Sequence, residues 1–205
     1  MLKTAVDHHP GGGPTQVAYA LALGLVLGFS LTIPPGPMNA LIAARAVRGL
    51  RSGILTGFGA MSADLVLGIV VYGLRATVDL SSIVRYVYAV GAIVMAVFGY
   101  RLLTRSEASA TVALDSVSVY SQAVVVGLSN PFQIVWWLTA GLAFAYLGGL
   151  VLFGGLFAAI LVWILAFPYA IHFGTRNRPR VSRAVVYVST ALLFAFAAYF
   201  ALLAL

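Results

Sequence analysis

Asp64 is the residue with the sharpest chemical consequence in this chain. It is one of five acids, and the other four (Asp7, Asp79, Glu107 and Asp115) sit in polar stretches, whereas Asp64 lies inside a long apolar run. In hydrocarbon an ionised Asp costs roughly 2.5–3.5 kcal/mol on insertion scales, and intramembrane acids of this kind commonly handle protons or a polar passenger. Gly53, Gly57, Ala60, Asp64 and Gly68 recur at i+3/i+4 and so share one helical stripe. Small residues mark the side on which helices approach closely, so Asp64 is expected to point into a bundle and to take up and release protons. The competing reading is a structural Asp, capped across the interface by a hydroxyl or an Asn.

Two proline-centred breaks supply the other polar groups. In Ile33-Pro34-Pro35-Gly36-Pro37-Met38-Asn39, each proline lacks an N–H and clashes with the carbonyl four residues back. Pro34, Pro35 and Pro37 should therefore free the carbonyls of Ser30, Leu31 and Ile33. A helix restarting near Met38 would aim exposed N–H groups and a positive dipole end into the same gap. Acceptors beside a positive helix start suit a zwitterion, with ammonium on the carbonyls and carboxylate on the N–H groups, while Asn39 adds a donor and an acceptor. The second break, Ser129-Asn130-Pro131, repeats this on a smaller scale. Pro131 should free the Gly127 carbonyl, and Asn130 supplies an amide. Gln133, Trp136 and Trp137 follow, and the Trp pair reads either as an interface anchor or as a pocket wall.

Other chemistry is poorly served. The chain has no cysteine, which excludes disulfides and thiolate sites. His8 and His9 are adjacent but two ligands do not complete a metal shell, so no metal and no cofactor are expected. Neither HExxH, GxSxG nor a P-loop occurs, and the chain is not expected to be an enzyme.

The elements that must hold these residues follow from composition. Hydrophobic residues make up 62% and charged residues 8%, against roughly a quarter charged in soluble domains. Lipid is the solvent that fits, and a span needs roughly 20 apolar residues. Six candidates are present: Val17 to Ala44, interrupted at Pro34–Pro37; Ser52 to Leu74; Ile83 to Leu103; Val117 to Tyr146, interrupted at Asn130-Pro131; Gly148 to Phe173; and Ala184 to Leu205. Gly49, Gly53 and Gly57 read as close helix packing, and Pro168 as a kink. Residues 1–16 read as a flexible tail. The net charge of +7 gathers in connectors after the first, third and fifth spans, at Arg45, Arg48 and Arg51, at Arg101 and Arg105, and at Arg176, Arg178, Arg180 and Arg183. That distribution places these loops in the cytoplasm and both termini outside, and makes nucleic acid a poor partner. The polar segment 104–116 divides the chain into halves, 17–103 and 117–205, of three spans each. Three is odd, so equivalent halves insert with opposite orientation, each opening on a broken span; paired interruptions of this sort point to a transport site between inverted repeats.

At these residues the chain resembles the LysE/RhtB family of amino-acid exporters. Pro34 to Leu74, PPGPMNALIAARAVRGLRSGILTGFGAMSADLVLGIVVYGL, is similar to the family's opening Pro-Gly-Pro-x-Asn motif with its Gly-rich basic loop and second span. LSNPFQIVWWLTAG, Leu128 to Gly141, is similar to its mid-chain Asn-Pro motif. Carried over, Pro35, Gly36, Pro37 and Asn39 take the first motif, and Asn130 and Pro131 the second, as substrate-binding positions. Many members place Lys after the Asn-Pro pair, where Phe132 stands here. The resemblance implies an all-α secondary exporter of amino acids or related metabolites, driven by the proton gradient, in a prokaryotic plasma membrane. Divalent-cation efflux is the alternative, against which a single intramembrane acid counts. A non-transporting assembly subunit would tolerate straight helices. Small-residue faces would permit a homodimer.

Overall fold

The computed structural model describes residues 13–73, 84–104, 115–138 and 149–205. Most of the expected tail and of the 104–116 linker, the connector carrying Arg75 and Asp79, and the end of the expected fourth span lie outside the described residues. Among those described, every regular element is a helix: α1 (Pro14–Thr32), α2 (Pro37–Arg48), α3 (Leu50–Gly73), α4 (Val84–Thr104), α5 (Ser116–Leu128), α6 (Pro131–Trp136), α7 (Gly149–Thr175) and α8 (Pro179–Leu203). Among the described residues, four stretches are long and apolar enough to cross a bilayer, Pro14–Thr32, Leu50–Val71, Gly149–Thr175 and Pro179–Leu203. Tyr88–Thr104 and Ser116–Leu128 are shorter apolar helices. Large apolar side chains such as Val26, Ile69, Ile93 and Val162 stand exposed on the outside, a surface suited to acyl chains rather than water.

Prolines set the helix boundaries. Pro14, Pro37, Pro131 and Pro179 each occupy a first-turn position, where the missing N–H costs nothing and the fixed φ favours the helix. The expected first span is redrawn by this. It is a 19-residue helix and a separate 12-residue helix joined by residues 33–36. Both follow α7 in the same direction. Gly24 and Gly28 face the Leu152–Ala159 stretch of α7, Asn39 bonds Trp163, and His172 bonds Ala46. Residues 33–36 thus fall part-way along α7. In the same manner α5 and α6 follow α3, with Ala123 against Gly59, Gly127 against Ala63, and Trp137 against Gly68. Since α3 runs antiparallel to α2 and α7 (Gly53 meets Ala46 and Pro168, and Gly57 meets Ile164), the α1–α2 and α5–α6 pairs run in opposite directions.

Glycine is required where these helices touch. A Cβ on Gly24 would lie 2.2 Å from the Leu152 carbonyl oxygen, one on Gly28 2.4 Å from that of Leu156, and one on Gly155 2.4 Å from that of Leu21. The α1–α7 backbones are in direct contact, as in small-xxx-small membrane packing. Gly59 repeats this on α3, where a Cβ would sit 2.6 Å from the Tyr120 carbonyl oxygen of α5. Two apolar cores fill the remainder. One joins Leu41 and Ala44 of α2 to Met95 and Phe98 of α4 and Leu193 and Phe200 of α8. The other joins Val71, Trp137, Leu156, Ile160 and Ile164. α2 is buried on nearly all sides from Ala40 to Ala46, so a short helix occupies the middle of the bundle.

Candidate functional site

A cavity of about 210 Å³ lies where α1 stops, α2 starts, and α3, α6 and α7 converge. Its wall includes Pro35, Gly36, Pro37, Asn39, Asp64 and Asn130. Pro131, the remaining residue of the two motifs, is absent from the wall. It packs instead on α4, where a Cβ on Gly91 would lie 2.3 Å from its Cγ.

At the first break, Pro34 and Pro35 stand where the i+4 donors for the Ser30 and Leu31 carbonyls would be, and both residues face the cavity. Asn39 takes up a different pair. Its Nδ2 donates to the Thr32 and Pro34 carbonyls, and its Oδ1 accepts from Trp163 Nε1 at 3.1 Å. One amide thereby ties the end of α1, the start of α2 and the middle of α7. Gly36 offers no side-chain cap, and the first intrahelical bond of α2 runs from Ala40 N–H to the Gly36 carbonyl. The N–H groups of Met38 and Asn39 precede it at the positive end of the helix dipole, beside the cavity.

The second break behaves differently from expectation. The Gly127 carbonyl is not freed by Pro131, because the Asn130 N–H bonds to it at 3.2 Å. The Asn130 side chain is a helix cap, accepting from Phe132 N–H at 3.2 Å, a use that Asn before Pro favours. Its Nδ2 lies 3.5 Å from Gln133 Oε1, and Gln133 Nε2 lies 3.4 Å from the Ala60 carbonyl.

Asp64 is 4% exposed. Its Oδ1 accepts from Trp137 Nε1 at 2.8 Å, so the cap is an indole and not the hydroxyl or Asn anticipated. The anchor reading of Trp137 is therefore overturned. The ring is fully buried, stacked on Phe153 at 6.2 Å and on Phe157 at 6.4 Å, and Gly68 makes room for it, since a Cβ there would come 2.9 Å from the ring. Trp136 lines the cavity.

Arg45 also departs from expectation. It belongs to α2 rather than to a loop, and is 6% exposed. Its guanidinium donates to the Val119 carbonyl at 2.9 Å, Gln122 Oε1 at 2.8 Å and Thr56 Oγ1 at 3.4 Å. Arg48 and Arg51 remain exposed. Trp163 and Gln133 were not singled out by sequence as site residues. For Trp163 the usable signal was its indole N–H, which needs an acceptor when buried. Phe132 lines the cavity and contacts Phe196, Tyr199 and Phe200 of α8, with ring centroids 5.2, 6.3 and 5.4 Å apart.

The site thus offers backbone acceptors and donors at a helix gap, one carboxyl, three side-chain amides and aromatic walls. It could cradle a small molecule with opposite poles. The chain is 27% identical over 157 residues to a Bacillus subtilis (strain 168) protein named "Putative amino acid efflux protein YcgF", covering 68% of this chain and 74% of that protein. No solved structure matches the chain. The family model for the LysE type translocator matches residues 29–204. That span takes in every helix from the end of α1 to the end of α8, and the chain, a multi-pass membrane protein, belongs to the LysE type translocator family.

Proposed function

We propose that this translocator exports an amino acid or a closely related small metabolite in exchange for protons, with the passenger held in the cavity between α1, α2, α3, α6 and α7. The observation that carries the substrate class is the gap at residues 33–36. Ser30 and Leu31, whose carbonyls lose their i+4 donors to Pro34 and Pro35, line a cavity that the first turn of α2 also lines. Carbonyls suit an ammonium, and N–H groups suit a carboxylate. A volume of about 210 Å³ falls below the roughly 300–1,000 Å³ of drug-sized pockets, which favours small passengers.

Asp64 is the coupling residue in this reading. It is the acid in the cavity wall, and a carboxyl that exchanges a proton for substrate gives antiport its stoichiometric link. The halves 17–103 and 117–205 are taken as inverted repeats. The opposed directions of α1–α2 and α5–α6 support this, as does the pairing of α1 with α7 and of its counterpart α5 with α3. The protein then sits in a prokaryotic plasma membrane with both termini outside and the basic ends of α2, α4 and α7 in the cytoplasm.

The test is efflux of a panel of radiolabelled amino acids from loaded proteoliposomes, with and without a pH gradient. At least one amino acid should leave faster with the gradient than without, and Asp64→Asn should lose that acceleration. Normal, still pH-driven efflux by Asp64→Asn would remove Asp64 from coupling. Absence of efflux for the whole panel would remove the substrate class.

A further inference from the structure

Arg45 and its partners lie between the cavity and the basic end of the bundle. Along α2 it is one turn beyond the cavity residue Ile42, and along α3 its partner Thr56 is one turn beyond the cavity residue Ala60. Its other two partners, Val119 and Gln122, belong to α5. One guanidinium therefore bridges α2, α3 and α5, which come from the two halves of the chain. Beside Arg45, α3 is pressed against α2 and α7. Gly53 admits Ala46 and Pro168 so closely that a Cβ would lie 2.7 and 2.8 Å from theirs, and His172 Nδ1 lies 2.9 Å from the Ala46 carbonyl. Beyond Arg45, on the same side, Arg48, Ser52, Arg101 and Gln122 line a small cavity of about 30 Å³. Two spaces are thus separated by one layer, in which Arg45 and its partners sit beside the buried apolar Leu41, Ala44 and Val126.

We infer that Arg45 is a polar latch: its bonds to Val119 and Gln122 shut the passage between the central cavity and the basic end of the bundle, and that passage opens only when they break. The shape of the layer supports a separable closure. The α2–α3 and α3–α7 contacts here set glycine against alanine and proline, which interlock, and α2 is held to α7 at this level by the His172–Ala46 bond. The α2–α5 contact relies on a long flexible side chain, which can release one helix without unpacking the other two. Hydrogen bonds are directional and end abruptly when a helix shifts, so they suit a two-position closure better than a broad apolar contact does.

This inference rests on the exporter reading for its purpose, and its test needs no substrate, so the two fail separately. The chain contains no cysteine, so a single Ala60→Cys places one thiol in the cavity wall. Labelling by a membrane-impermeant maleimide is followed in right-side-out and inverted vesicles, in otherwise unaltered protein and with Arg45→Ala or Arg45→Lys. Arg45→Ala should speed labelling about tenfold or more, the factor expected on losing hydrogen bonds to a charged group, and only in the vesicle orientation that presents the basic end. Arg45→Lys should fall between. An unchanged rate, or an equal rise in both orientations, which marks general loosening, overturns the latch. Should Arg45→Ala fail to elute as a single species in detergent, Gln122→Ala serves instead, with a smaller rise of about threefold in the same orientation expected and the same two outcomes overturning the inference.

Discussion

Replacing Trp137 by Phe isolates the bond between the buried indole and Asp64. The phenyl ring retains the stacking surface toward Phe153 and Phe157 but lacks the N–H that reaches Oδ1 at 2.8 Å. A hydrogen bond to a charged acceptor contributes about 1.5–3 kcal/mol, and one to a neutral acceptor about 0.5–1.5 kcal/mol. The indole atoms nested against Gly68 leave a small void, which adds about 1 kcal/mol at ~24 cal/mol per Å³. The sum is about 2–4 kcal/mol, or roughly 4–16 °C in a chain of this length. The assay is the fraction of detergent-solubilised protein that still elutes as a single species after heating. The decisive comparison repeats Trp137→Phe in an Asp64→Leu background. There the acceptor is already gone, the indole N–H is the unsatisfied partner, and only the void term remains, so the loss should shrink to about 2–4 °C or less. Equal losses in the two backgrounds would refute the assignment and make Trp137 a packing residue alone.

Asn39→Ala should be among the most damaging substitutions at the gap. It strips donors from the part-buried Thr32 carbonyl and the exposed Pro34 carbonyl and the acceptor from Trp163, at about 1 kcal/mol for each of the two part-buried groups, and is read as a fall in the yield of monodisperse protein. Gly28→Leu should drive α1 from α7, because even its Cβ would meet the Leu156 carbonyl oxygen; loss of several kcal/mol is expected by overpacking, with a folded yield near zero. Phe132→Lys should weaken the contact with α8, at about 0.5–1.5 kcal/mol per aromatic pair lost, and place a cation at the cavity wall. In the efflux panel this should shift preference toward passengers with an additional carboxylate, and an unchanged preference would show that Phe132 does not read the passenger.

What the chain reveals on inspection follows from how local each interaction is. The helical nature and the inward face of Asp64 are legible because the stripe from Gly53 to Gly68 is a short-range pattern, and that same stripe meets Ala46, Ile164 and Trp137. The restart of a helix at Pro37 is legible through the same local geometry, whereas the starts at Pro14, inside the expected tail, and at Pro179, ahead of the expected last span, are not. Partners distant in sequence leave no such trace. Trp137 is 73 positions from Asp64, and nothing in the WW pair distinguishes an anchor from a cap. Arg45 sits three residues from Arg48 in a run that also contains Arg51, so it reads as one of several loop charges. Its position one turn from Leu41 and Ile42, on a helix packed on all sides, is visible only once α5 is beside it. Asn130 was expected to present its amide, but the N–H of Phe132 two residues on claims the oxygen first.

The glycine contacts have a mechanical consequence. Backbone pressed into backbone, with a carbonyl seated in each glycine notch, cannot glide: displacing α1 along α7 by even one residue would drive a side chain into a peptide group. The same holds for α3 on α5 at Gly59. Each pair therefore behaves as a plank, and the place where the bundle can part most readily is the junction of α2 with α5, which the Arg45 guanidinium spans.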